Sequence, residues 1–194
     1  MKKIVFTLSL ALVNAIILSA QVPATSEQAS YVRPNAEKRF RSFVNDTIGP
    51  FAWAGIAAGA GFSTITNKPG EWGRSSNGFG KRFASNFGKN VIKNTAIYGI
   101  DEAFKLDSHY YRSKKRDVGS RIGNALISTF TARTAGGKRT VGISRIVGTY
   151  TANVIANEVW YPKRYDWRDG VKSGTISLGI NSFFNLVKEF IIKK

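Results

Sequence analysis

The chain has 194 residues, 43% of them apolar, with 29 Lys and Arg against 12 Asp and Glu and a formal net charge of +17. The length sustains a single domain with a core. Cys is absent, which excludes disulfide staples and thiolate metal sites, and the one His rules out a paired-His zinc motif.

Lys2 and Lys3 precede an uncharged, mainly apolar run from Ile4 to Ser19 that closes on Leu18-Ser19-Ala20. A charged start, an apolar middle and a small-residue end make a secretory signal peptide, residues 1–20, with cleavage expected after Ala20. As an uncleaved anchor the run is at the short limit for crossing a bilayer, and Asn14 weakens it. Export removes the chain from ATP, NAD and nucleic acid, so no nucleic-acid partner is expected. The lack of Cys leans towards a bacterial envelope, in the periplasm or at the outer-membrane periphery.

Residues 21–34 lack periodicity and read as a flexible leader to one helical domain, 35–194. Asn35 predicts a helix cap, with Phe40, Phe43, Val44 and Ile48 on one face, and Gly49-Pro50 interrupts the helix. An Ala- and Gly-rich run from Phe51 to Phe62 follows, then a loop at Asn67-Lys68-Pro69-Gly70. Phe79, Phe83, Phe87 and Val91 recur every four residues in a helix expected from about 79 to 104. Leu106–Arg116 reads as a polar connector. A helix from Asp117 to about Ala132 carries Val118, Ile122, Leu126 and Phe130. After a break at Thr134–Lys138, one helix is expected from Val141 to Trp160, before Pro162, and a last one from Val171 to Ile192. The last helix places Ile176, Ile180, Phe183, Phe184, Val187 and Phe190 on its core face. No alternating strand pattern competes, so the fold class is all-α: four to five closely packed, glycine-containing helices joined by short loops.

Glycine inside a helix costs about 1 kcal/mol against alanine. The four-residue spacings Gly55/Gly59 and Gly119/Gly123 therefore suggest helix-packing faces where another backbone lies close. The uncharged stretch Thr47–Asn67 is long enough to enter a bilayer, although Gly49-Pro50 breaks it near its start.

Metal-type ligands gather only at Asp101-Glu102, Asp107 and His109, where the simplest reading is a helix end with solvated acids and a packed His. Gly73–Lys81 and Gly136–Thr140 fail the spacing of a phosphate loop. No catalytic, cofactor-binding or metal-binding residue is assigned. The densest cationic patch is Arg112, Lys114, Lys115, Arg116 and Arg121, beside Tyr110 and Tyr111, and suits an anionic lipid or polysaccharide surface.

Leu106–Arg112, Arg121–Leu126, Glu158–Pro162 and Phe183–Phe190 together resemble a family of secreted bacterial envelope proteins of acidobacterial type, over residues 70–190. The resemblance implies export and helicity and supplies no catalytic residue. The sequence thus points to a non-enzymatic envelope protein, periplasmic or peripheral to a membrane, that contacts anionic surfaces without a cofactor. Two alternatives are an integral helical membrane protein that oligomerises through its small-residue faces, and a secreted hydrolase built on the Asp101–His109 region.

Overall fold

Asn35 accepts a hydrogen bond from the Lys38 amide at 2.9 Å and caps α1, Ala36–Ile48, as its side chain predicts. The computed structural model describes residues 31–191, so the expected signal peptide and the leader up to residue 30 lie outside the described residues. A single extended residue, Gly49, separates α1 from α2, Pro50–Ile65, with Pro50 in the first helical position. The carbonyls freed at this break are taken up by Asn90 and Asn94, whose Nδ2 atoms donate to Thr47 O at 2.9 Å and Asp46 O at 2.8 Å. The long α3, Ser76–Ala103, starts on Ser75, whose hydroxyl accepts from the Gly78 amide. Asp117 caps α4, Val118–Phe130, through the Gly119 and Ser120 amides. Then follow α5, Ile143–Val159, and α6, Trp167–Phe190.

Two boundaries differ from expectation. The last helix starts four residues earlier than Val171, because Asp166 and Asp169 form a reciprocal capping box inside what reads as a charged turn. A small antiparallel sheet, absent from the sequence reading, joins β1 (Leu106–Asp107), β2 (Thr131–Thr134) and β3 (Arg139–Val141) in that order. Asp107 pairs with Arg133, and Arg133 with Arg139, across a hairpin that turns at Gly137 with φ 80°. Strands this short carry no readable period, and Thr131-Ala132 therefore pass as the end of a helix.

The fold is mainly helical, with α1 and α2 as one broken rod and four further helices. Their order in space is α2, α3, α5, α6, α4, each packed on the next. Among the described residues α2 and α6, and α3 and α6, make at most marginal contact, so the helices form a layer instead of closing around a core.

Polarity in this layer is inverted. The largest fully buried side chains among the described residues are those of Arg82, Glu189, Thr129, Thr149 and Ser144, and the buried apolar ones are mostly Ala. Val118, Ile122, Leu126 and Phe130 of α4, and Ile176, Ile180, Phe183 and Phe184 of α6, are all exposed. The α6 residues lie in the uncharged run 173–187, whose length reads in the sequence as a buried core helix. The correction has a physical reason: periodicity identifies which residues share a face, not which way that face points.

Candidate functional site

Polar chemistry concentrates where the end of α3, the sheet and the end of α6 meet. Lys105, with φ 53°, turns the chain out of α3 and into β1. Asp101 accepts from the Ser108 amide and hydroxyl, both at 3.0 Å, and from the Ser144 hydroxyl at the start of α5. Asp107 accepts from the Tyr31 and Tyr111 hydroxyls, both at 2.6 Å, and from the His109 amide at 2.9 Å. Glu189, wholly buried, accepts from the Tyr110 hydroxyl, the Ser113 amide at 3.2 Å and Arg121 Nε at 2.9 Å. Three buried carboxylates from three elements thus fasten the connector 108–113, each with the partners a buried charge requires. The sequence reading of Asp101 and Asp107 as solvated acids is corrected here.

The N-terminal strap belongs to the same network. Tyr31 reaches Asp107, Arg33 donates to Leu106 O at 3.3 Å and Asp101 O at 3.1 Å, and Arg39 pairs with Glu102 at 2.5 Å. Residues 31–34, expected as part of a flexible leader, are held in place. Arg133 in β2 covers both phenol rings, at 5.3 Å from Tyr31 and 5.2 Å from Tyr111.

His109 lies with Nδ1 2.8 Å from Asp107 Oδ1 and Nε2 3.8 Å from Asp46 Oδ2. Its hydrogen bond to Asp107 raises its pKa against the opposing effect of burial. Burial alone would raise Asp107, but the bonds from His109, Tyr111 and Tyr31 outweigh it and hold the carboxyl well below the usual range. Tyr31 and Tyr111 are pushed well above an ordinary phenol, first by burial and then by their bonds to Asp107. An Asp-oriented His is the geometry of a general base. Here, however, the outer nitrogen faces a second carboxylate, and among the described residues no hydroxyl nucleophile bonds it. The cavity beside Asp107, His109, Tyr111 and Ser128 has about 10 Å³, room for no more than about one water. The imidazole therefore acts as a tie between α1 and the sheet. Among the described residues no three His, Asp or Glu side chains converge to hold a metal ion.

The structure divides the predicted cationic patch. Arg112 and Arg121 each donate to the Glu189 carbonyl at 2.6 Å, and Arg121 also lies 4.4 Å from the Phe190 ring centroid. Lys114, Lys115 and Arg116 are exposed on the same connector. The predicted glycine faces separate too. A Cβ on Gly59 would meet Asn86 of α3 at 3.1 Å, whereas Gly55 and Gly123 have nothing within 4 Å and Gly119 meets only its own cap, Asp117. Close helix approach occurs instead at Gly148, against Lys93 O of α3, and at Gly170, against the Val154 backbone of α5. The sequence reading missed Glu189 as the anchor of the connector. Its only local signal is a lone acid, next to Lys188, near the end of the last helix.

No protein-family model, curated protein or solved structure matches this chain.

Proposed function

We propose that this protein is a non-enzymatic, membrane-embedded helical component of a bacterial envelope, with the outer faces of α2, α4 and α6 turned to lipid acyl chains. The observation that carries the reading is the inverted polarity of the layer. A chain folding in water gains its stability by burying large apolar side chains. Helices in lipid gain nothing that way and associate through small residues and polar contacts, as Gly148, Gly170, Asn153 and Asn185 do here.

Dimensions agree with this environment. α3 has 28 residues and is about 42 Å long, close to a bilayer with its headgroup regions. α2, with 16 uncharged residues, covers about 24 Å, and the uncharged stretch of α6 between Lys172 and Lys188 about 22 Å. Both fall short of the ~30 Å hydrocarbon core, and at α6 the long stems of Lys172 and Lys188 make up the difference by reaching to the surface. The run Ala36–Ile65 is long and apolar enough to cross a membrane, and 17% of its most apolar window is buried. Export by residues 1–20 and the resemblance to secreted envelope proteins belong to the same reading.

A peripheral attachment to anionic lipid or glycan is the second reading, favoured by the exposed Lys115 and Arg116. Alkaline carbonate extraction of membranes from cells expressing the full chain separates the two. The embedded protein should stay in the pellet and leave it only with detergent, whereas a peripheral one should be released. Recovery of the protein in the soluble fraction of lysed cells before any carbonate or detergent is added would overturn both.

A further inference from the structure

Among the described residues, adjacent cationic side chains occur at Lys38-Arg39, Lys81-Arg82, Lys114-Lys115-Arg116, Lys138-Arg139 and Lys163-Arg164. Four of these runs are held by regular structure or by an ion pair. Lys38-Arg39 and Lys81-Arg82 lie inside α1 and α3, where Arg39 is paired with Glu102 and Arg82 is fully enclosed. Lys138-Arg139 belongs to the β2–β3 hairpin, and the Thr134 amide donates to Lys138 O at 2.9 Å. Lys163-Arg164 follows Pro162, with Arg164 tied to Glu71 at 2.5 Å. The run Lys114-Lys115-Arg116 differs. It lies in 108–117, where the backbone forms no helix, strand or turn, and all three residues are exposed. The Lys115 amide bonds the Ser113 hydroxyl at 3.2 Å, within the exposed stretch itself. The flanks, by contrast, are fixed. Tyr110, Arg112 and Ser113 donate to Glu189 of α6, and Asp117 caps α4.

We propose that Lys114-Lys115-Arg116 is a processing site for an endoprotease selective for adjacent basic residues, and that cleavage leaves a two-chain protein bridged at Glu189. A protease takes its substrate as extended chain, so exposed irregular segments are cut well before helices, whose backbone must first open. Acidic subsites in such an enzyme pair with cationic side chains at successive positions, and this run supplies them. Asp117 follows Arg116 and places a carboxylate against those subsites, so the scissile bonds are the ones after Lys114 and Lys115. Water supplies a hydroxyl to the carbonyl carbon and a proton to the leaving amine as the C–N bond breaks. The fold keeps the two products together. Glu189 lies on the C-terminal product, while Tyr110, Arg112 and Ser113, which donate to it, lie on the N-terminal one. The α3–α5 packing also crosses the cut. Because the connector is exposed, the inference is independent of whether the helices are embedded or peripheral.

Limited digestion of the full chain with trypsin, in detergent and without denaturant, tests access to the run. The first internal cut should give a product that begins at Lys115 or Arg116. K114Q/K115Q/R116Q, a change confined to exposed side chains, should slow the loss of intact chain at least about tenfold. A first internal cut outside 114–117, or a triple variant cut as fast as the native chain, overturns the site. Size-exclusion chromatography of the nicked protein should show one undivided species with its helical circular dichroism retained. Separation of the two products overturns the bridge at Glu189. Processing itself is read by mass spectrometry of the protein isolated from the cells that naturally make it. A chain ending at Lys114 or Lys115, together with the matching new amino terminus, is the expected result, and recovery of only the uncut connector overturns processing.

Discussion

Replacing Gly170 by Ala should weaken the α5–α6 contact, whereas the same change at Gly179, nine residues along α6, should not. A Cβ on Gly170 would lie 2.6 Å from Val154 Cα, 3.0 Å from Val154 N and 3.1 Å from Asn153 O. All three are backbone atoms, so no side-chain rotation relieves the overlap. Ordinary carbon contacts are about 3.5–4.0 Å, which requires the two helices to separate by roughly 1 Å at that point. Overpacking of this kind costs about 1–3 kcal/mol. A Cβ on Gly179 meets nothing within 4 Å, leaving only the propensity gain of Ala, about 1 kcal/mol in a helix interior. Because both variants gain an alanine, the difference between them isolates the steric cost. It corresponds to roughly 2–12 °C in melting midpoint for a domain of this size. Circular dichroism melts in one detergent should show G170A below the native protein and G179A at or above it. Gly123→Ala, in a position open on α4, should behave like G179A. If G170A melts with or above G179A, the two backbones do not approach as described.

Glu189→Gln should cost about 3–5 kcal/mol, because Arg121 then keeps a mostly buried guanidinium without its counter-charge; Glu37→Gln, which loses an exposed pair with Arg41, should cost less than about 1 kcal/mol. Comparable denaturation midpoints for the two variants would refute the buried anchor. The His109 tie gives stability a defined pH dependence. Its folded pKa lies above the ordinary value of about 6.5, so its contribution is complete below that pH and is lost as pH rises through the raised folded value. Melts between about pH 5 and 9 should show a decline above pH 6.5 that His109→Gln removes, and an unchanged decline in the variant would assign it to another group.

Local chemistry was legible from the chain alone. Asn35 and Asp117 start helices because their side-chain oxygens satisfy amides two or three residues ahead, and Pro50 and the Tyr161-Pro162 step mark boundaries through backbone geometry. The stripes on α4 and α6 were legible as stripes, since 3.6-residue periodicity is a property of the sequence. Their direction was not, because the same pattern serves a water-soluble core and a lipid-facing surface. Tertiary structure decided that Ile122, Ile180 and Phe183 face outwards while Arg82 and Glu189 are enclosed. It also decided which glycines matter. Gly123 and Gly148 both read as glycines inside helices, yet only Gly148 has another helix's backbone against it. The Glu189 anchor, reaching Arg121 and Tyr110 across 68 and 79 residues, depends on contacts that no local spacing encodes. Short-range hydrogen bonding and periodicity set where the helices are. Which medium they face, and which charges they enclose, follows only from how the helices are brought together.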